Sequence, residues 1–169
     1  YHVPRKLRLD RIEQLLRLLT QQHAYVIVDA GSQLNASTTT ALYMADTIYV
    51  VANPDVPSVR NAQRLIDRMG QLACGERVRI LLNRAAEPYP IPPEQIESAI
   101  GRSIDHTFPS DYRTVSTALN SGVPLALTGN TDIASQFDRF TRRMLSVVDE
   151  PASTERRSTL GLQRLASMW

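Results

Sequence analysis

Apolar residues along this chain recur at two alternating spacings. Ile12, Leu15, Leu16 and Leu19 form one stripe at helical spacing. Asp10 precedes them with Glu13 in capping-box position, so a helix is expected from Asp10 to about His23. Residues 25–29 (Tyr, Val, Ile, Val, Asp) then form a short apolar run rich in β-branched side chains, the pattern of a strand covered on both faces. A polar loop over 30–35 leads to a helix expected over 36–45. The strand pattern returns at 47–52 and stops at Asn53, Pro54 and Asp55. A longer helix is expected over 56–73, with Val59, Ala62, Leu65, Ile66, Met69 and Leu72 inward and Pro57 in the first turn, where a missing N–H costs little. Residues 78–83 predict a third strand, and 87–93 a proline-rich loop. Pro93 opens a short helix ending at Gly101. Residues 104–108 form a weaker strand near an edge, and 110–120 a helix stopped at Gly122. Ile133, Phe137, Phe140, Met144 and Val147 mark a last long helix.

This alternation of strand and helix predicts an α/β fold of three layers, a mostly parallel sheet between helices. The length suits one domain of ordinary size, and 43% hydrophobic residues suffice for a core. After Asp149 the composition shifts to Pro, Ser, Thr, Glu and Arg, which reads as a tail over 149–169. A net charge of +2 argues against both a disordered polyanion and a dedicated nucleic-acid-binding surface. Cys74 is the only cysteine, so no internal disulfide forms, and no Cys/His spacing suits zinc. A reducing, cytoplasmic setting follows. The chain opens with Tyr1, and a longer parent protein is expected.

In sheets of this class, ligands bind beyond the carboxyl ends of the strands. The residues to inspect are therefore Asp29, then Asn53, Pro54 and Asp55, then Asn83 and Arg84, then Pro109, Ser110 and Asp111. Asp29 can hold a magnesium-bound water beside a nucleotide, or serve as a loop carboxylate. Asn83 carries a donor and an acceptor on one amide, which suits reading a purine edge, and equally suits a turn. Arg84 can stack on a base, pair with an acid, or stand in solvent.

The segments YVIVDAG, ALYMADTIYVVANPDVPSVRNAQRLIDRM, VRILLNR and FPSDYRTVSTALNSGVPL, in this order and spacing, resemble ParA/MinD-family P-loop ATPases. The stretch from NPDVPSVRNA through LLNR to PSDYRTVSTALNSGVPL is most similar to the CpaE/TadZ group of Flp pilus assembly. The resemblance implies that residues 1–148 are the C-terminal part of a nucleotide-binding domain for ATP or ADP with Mg2+. It implies that Asp29 supports magnesium through water, with Gly31 in the following switch segment. Asn83 matches the residue that contacts adenine, and Arg84 its neighbour. Pro109, Ser110 and Asp111 match the loop beside the base. Asn53, Pro54 and Asp55 match a segment near the nucleotide and the dimer face.

Two departures qualify it. Many relatives carry a proline pair after the Walker B acid, where this chain has Ala30, Gly31 and Ser32. The glycine-rich phosphate loop is also missing, because the only lysine, Lys6, has no glycine nearby. In the family the phosphate-loop strand lies beside the Walker B strand, so without it sheet edge and helix face are expected to be uncovered.

The resemblance implies a homodimeric ATPase that positions pilus or secretion assembly proteins. The alternatives are a catalytically inactive dimerising scaffold of the same fold and, ranked lower, a partition ATPase binding DNA without sequence preference. In the tail, Leu162, Leu165, Ala166 and Trp169 share a helical face near Arg156, Arg157 and Arg164. That pattern suits a weak membrane or partner contact and association with the membrane or cell pole. Gly161 and several serines favour a disordered tail instead.

Overall fold

The computed structural model describes residues 9–127, 129 and 131–145, with Leu9 and Asp10 described by backbone alone. The expectations for Lys6, the Asp10 cap, Val147 and the tail lie outside the described residues. Among these residues the order is α1 (Leu9–Gln22), α2 (Ala36–Met44), β1 (Ile48–Ala52), α3 (Val56–Gln71), β2 (Val78–Ala85), α4 (Pro93–Ile100), β3 (Ile104–Pro109), α5 (Tyr112–Ser121) and α6 (Asp132–Met144). The strands form a parallel sheet in the order β1-β2-β3. The weak pattern expected near an edge is indeed the edge strand β3.

Local chemistry sets the helix ends. Asn35 caps α2, its side chain accepting from the Ser37 and Thr38 N–H groups. Asp55 caps α3 through the Ser58 N–H, with Pro57 in the first turn. Ala73 closes α3 with φ +56°, and the Cys74 N–H reaches back to the Met69 carbonyl. That is the left-handed closure usually given to glycine. Arg77 donates to the Tyr43 and Ala45 carbonyls, tying the end of α2 to the start of β2.

One face of the sheet presents Ile48, Val50, Ala52, Val78, Ile80 and Leu82 to α2, α3 and α4, whose Leu42, Val59, Ile66, Met69 and Ile96 complete that core. The opposite face packs on α6 through rings. Tyr49 and Phe140 lie 5.2 Å apart between centroids, His106 and Phe108 4.8 Å, and Phe108 and Phe137 4.6 Å. The three-layer α/β/α arrangement is therefore present.

The expectation for residues 25–29 is corrected. They form no strand, and Tyr25, Ile27 and Val28 are exposed, Ile27 to 83%. A strand exists only through ladder partners, and none of the described residues pairs with this segment. Among the described residues β1 likewise has no neighbour on its outer edge, and its Val51 is 59% exposed. Leu15, expected inward, is half exposed, because α1 packs chiefly on α2.

The contrast is testable by urea unfolding. Leu82 is fully buried, so Leu82→Ala should cost about 2–5 kcal/mol. Ile27→Asp should change the stability of this chain by no more than about 0.5 kcal/mol. A large loss at Ile27 would show that the segment packs as a covered strand.

Candidate functional site

The carboxyl ends of β2 and β3 open onto a cavity of about 710 Å³. Asn83, Arg84, Pro109, Ser110 and Asp111 all line it. Its far wall is apolar, built from Val115 and Leu119 of α5 and Ile133 and Phe137 of α6. The chain thus places one polar rim against an apolar slot, a combination that suits a flat heterocycle with hydrogen-bonding edges.

The rim is built by an irregular ladder. Leu82 pairs with Thr107, but the next pair is Ala85 with Pro109, so Asn83 and Arg84 together oppose Phe108. This is a β-bulge, and Arg84 sits in it with φ +55°. A non-glycine residue there carries strain of about 1–3 kcal/mol. The Ser110 N–H donates to the Ala85 carbonyl at 2.8 Å, joining the loop after β3 to the end of β2.

Asn83 is partly buried, and its carboxamide makes no hydrogen bond to a described residue. A turn asparagine tying down its own backbone would show such a bond. Asp111 caps α5, its Oδ1 accepting from the Thr114 N–H at 3.0 Å. The Thr114 side chain and N–H hold its carboxyl below the usual range. An ionised carboxylate at the rim accepts from hydroxyl or amine groups and repels phosphate.

The other sequence candidates stand apart from this cavity. Asp29 is exposed, and its Oδ1 accepts from the Gly31 N–H at 3.2 Å in a turn that Gly31, at φ +64°, makes possible. One carboxylate oxygen left over fits an outer contact to a hydrated ion. No group of three or more candidate metal ligands assembles among the described residues. Asp55 is occupied as a helix cap, and Pro54 is buried at the end of β1. Tyr112, Val115 and Leu119 of the cavity wall were not singled out from sequence, although their i, i+3, i+7 spacing directly after the Asp111 cap was readable.

Comparison with known proteins agrees with this architecture. The chain is 23% identical over 140 residues to the septum site-determining protein MinD of Thermotoga maritima, a match covering 79% of the chain. It is 25% identical over 142 residues, 80% of the chain, to MinD of Bacillus subtilis. It spans about half the length of these relatives, 51% and 52%. A ParA family ATPase from Chlorobium tepidum superposes with a TM-score of 0.75 at 24% identity, covering 79% of this chain and 57% of that one. A chain of the MinC:MinD cell division protein complex of Aquifex aeolicus gives 0.72 at 18% identity, over 90% and 64%. MinD of Pyrococcus horikoshii, solved with Mg-ADP, gives 0.68 at 16% identity, over 86% and 60%. No protein-family model matches the chain. The fold is that of ParA and MinD structures, and the sequence matches support kinship with that family of P-loop ATPases.

Behind the cavity, the β3 face against α6 carries His106, whose Nε2 lies 3.2 Å from the Gln136 carbonyl. Burial holds its pKa below 6.5. Arg143 and Arg139 add to that effect, while the Gln136 hydrogen bond and Asp105 oppose it. The folded state therefore favours neutral imidazole. Its contribution to stability is complete above about pH 6.5 and declines as pH falls through that value toward the folded pKa. Urea unfolding across this range should show falling stability with acid, and His106→Phe should flatten that part of the profile. An unchanged slope in the variant would assign the pH dependence to other groups.

Proposed function

We propose that this chain is the base-recognising half of a ParA/MinD-type nucleotide-binding ATPase, with Asn83 reading the adenine edge. The observation that carries the reading is the free Asn83 carboxamide facing a slot with Asp111 at its rim. In this reading an adenine ring would lie between the polar rim and the wall of Val115, Leu119 and Phe137, with Asp111 accepting from a ribose hydroxyl. Asp111 disfavours a phosphate beside it, and in this reading the phosphates lie on the side of β1 and Asp29. There the open edge of β1 and the exposed apolar run 25–28 leave room for a further strand, in keeping with the phosphate-loop position that the family resemblance implies. Magnesium, when bound with the nucleotide, neutralises phosphate charge, and Asp29 would hold it through a water.

The finer reading is a CpaE/TadZ-like protein that dimerises and positions pilus or secretion assembly machinery. Support comes from the run NPDVPSVRNA, LLNR and PSDYRTVSTALNSGVPL. A dimerising scaffold without turnover is the second reading, favoured by Asp29, whose Oδ1 is engaged in its own turn where relatives carry a proline pair. Deleting the gene that carries this chain and scoring pilus assembly and polar placement tests the finer reading. Normal pili would remove it.

Two outcomes are expected in vitro. Titration of ADP and GDP into the protein that carries this chain, followed by calorimetry, should show an adenine preference. Asn83→Ala should reduce ADP binding by about 1–2 kcal/mol and erode that preference; unchanged affinities would remove Asn83 from base recognition. The 169-residue chain alone should release no phosphate from ATP, since its one lysine, Lys6, has no glycine-rich loop around it. Magnesium-dependent turnover abolished by Asp29→Ala would overturn that expectation.

A further inference from the structure

α3 carries a charge pattern that its packing does not require. Its inward face is Val59, Ala62, Ile66 and Met69. On the opposite face Arg60, Arg64 and Arg68 stand at i, i+4 and i+8, and all three are exposed. Residues four apart are neighbours on a helix surface, so the three guanidinium groups form one row. At a rise of about 1.5 Å per residue the row is about 12 Å long. Val56, four residues before Arg60, stands at its head and is 51% exposed.

Other helices of the chain set an acid four residues before an exposed arginine. Arg17 pairs with Glu13 at 2.8 Å, and Arg142 with Asp138 at 2.8 Å. In α3 the residue four before Arg64 is Arg60, and four before Arg68 is Arg64. Like charges at this spacing slightly destabilise a helix. Arg143 of α6 also follows an arginine by four, but it donates to the Asp105 carbonyl and so has a task within the fold. Arg68 lies in the last turn of α3, where the helix dipole favours a cation. Arg60 and Arg64 have neither reason. Arg64 donates to the Asn61 side chain on the same surface, and Arg60 makes no hydrogen bond or ion pair to a described residue.

An unpaired basic row is complementary to an acidic one. A nucleic-acid backbone presents phosphates without interruption, and Asp67, the only acid in α3, is exposed beside the row and would repel one. A protein helix can place acids at i, i+4 and i+8, a neutral or basic residue opposite Asp67, and an apolar residue against Val56. We propose that the outer face of α3 docks an acidic helix of a partner protein, with Arg60 and Arg64 as its main contacts. This is independent of the nucleotide reading, because no residue of α3 lines the cavity.

The test is an NMR titration of the labelled 169-residue chain with a helical peptide bearing glutamate at i, i+4 and i+8. A second peptide of the same composition spreads its glutamates around the helix. A DNA duplex and vesicles containing anionic lipid complete the set. The first peptide should shift the amide resonances of residues 56–71, bind about tenfold more tightly than the second, and weaken as salt rises. Arg60→Gln combined with Arg64→Gln should abolish that preference and leave the melting temperature unchanged or raised, since a repulsive pair is removed. Equal binding of the two peptides, or shifts centred outside α3, would overturn the proposal. A lowered melting temperature with the preference intact would overturn it too, by making the arginines structural. Tighter binding of the duplex or the vesicles through the same arginines would replace the protein partner with a nucleic acid or a lipid surface.

Discussion

β2 is paired on both edges and covered on both faces, and the other described elements are arranged around that demand. Its inward residues Val78, Ile80 and Leu82 are 2%, 1% and 0% exposed. A strand so enclosed has no water for its backbone, so both neighbours must pair with it along its length. A parallel neighbour needs a crossover, and α3 and α4 serve as the crossovers and as the cover for one face. On the other face α6 closes the aromatic cluster over β3.

The ladder between β2 and β3 is irregular in two places, and the irregularities offset each other. Between Ile80–Ile104 and Leu81–His106, β3 gains a residue at Asp105. Between Leu82–Thr107 and Ala85–Pro109, β2 gains one. The first moves His106 and Phe108 to the α6 face although Ile104 packs on the opposite core. Arg143 then donates to the exposed Asp105 carbonyl, satisfying a backbone acceptor at the sheet edge. The second allows a polar side chain to leave the sheet at the cavity without removing Ala85 from the core. The departure from regular pairing at this end of the sheet is sustained because flanking residues are buried.

The described surface divides by chemistry. The cavity end carries an unpaired carboxamide and an ionised aspartate against apolar walls. The β1 side carries an unpaired strand edge, exposed Val51 and the exposed run around Ile27. The first sets polar groups against an apolar wall. The second exposes backbone and apolar groups that are stable only when covered. The proposed reading as a base-recognising half rests on this asymmetry, and the likeness to ParA and MinD structures is one of fold.

The sequence by itself determined most of the elements, because helical and strand periods and caps are local properties: Asp55, Asp111 and Pro57 act within one turn of where they stand. It also put Asn83, Arg84, Pro109, Ser110 and Asp111 at the carboxyl ends of parallel strands, where they line one cavity, but the same reasoning named Asp29, Asn53, Pro54 and Asp55, which do not line it. Three things were decided only by tertiary structure. The run at 25–29 has the pattern of a strand and is not one, because pairing is a property of two segments and none of the described residues pairs with it. The apolar wall from α5 and α6 depends on how those helices cross the sheet. The reversal at Arg84 has no local signature, since arginine does not favour it. It exists because the burial of Ala85 and the bond from Ser110 compel it, and both are contacts that no stretch of sequence displays.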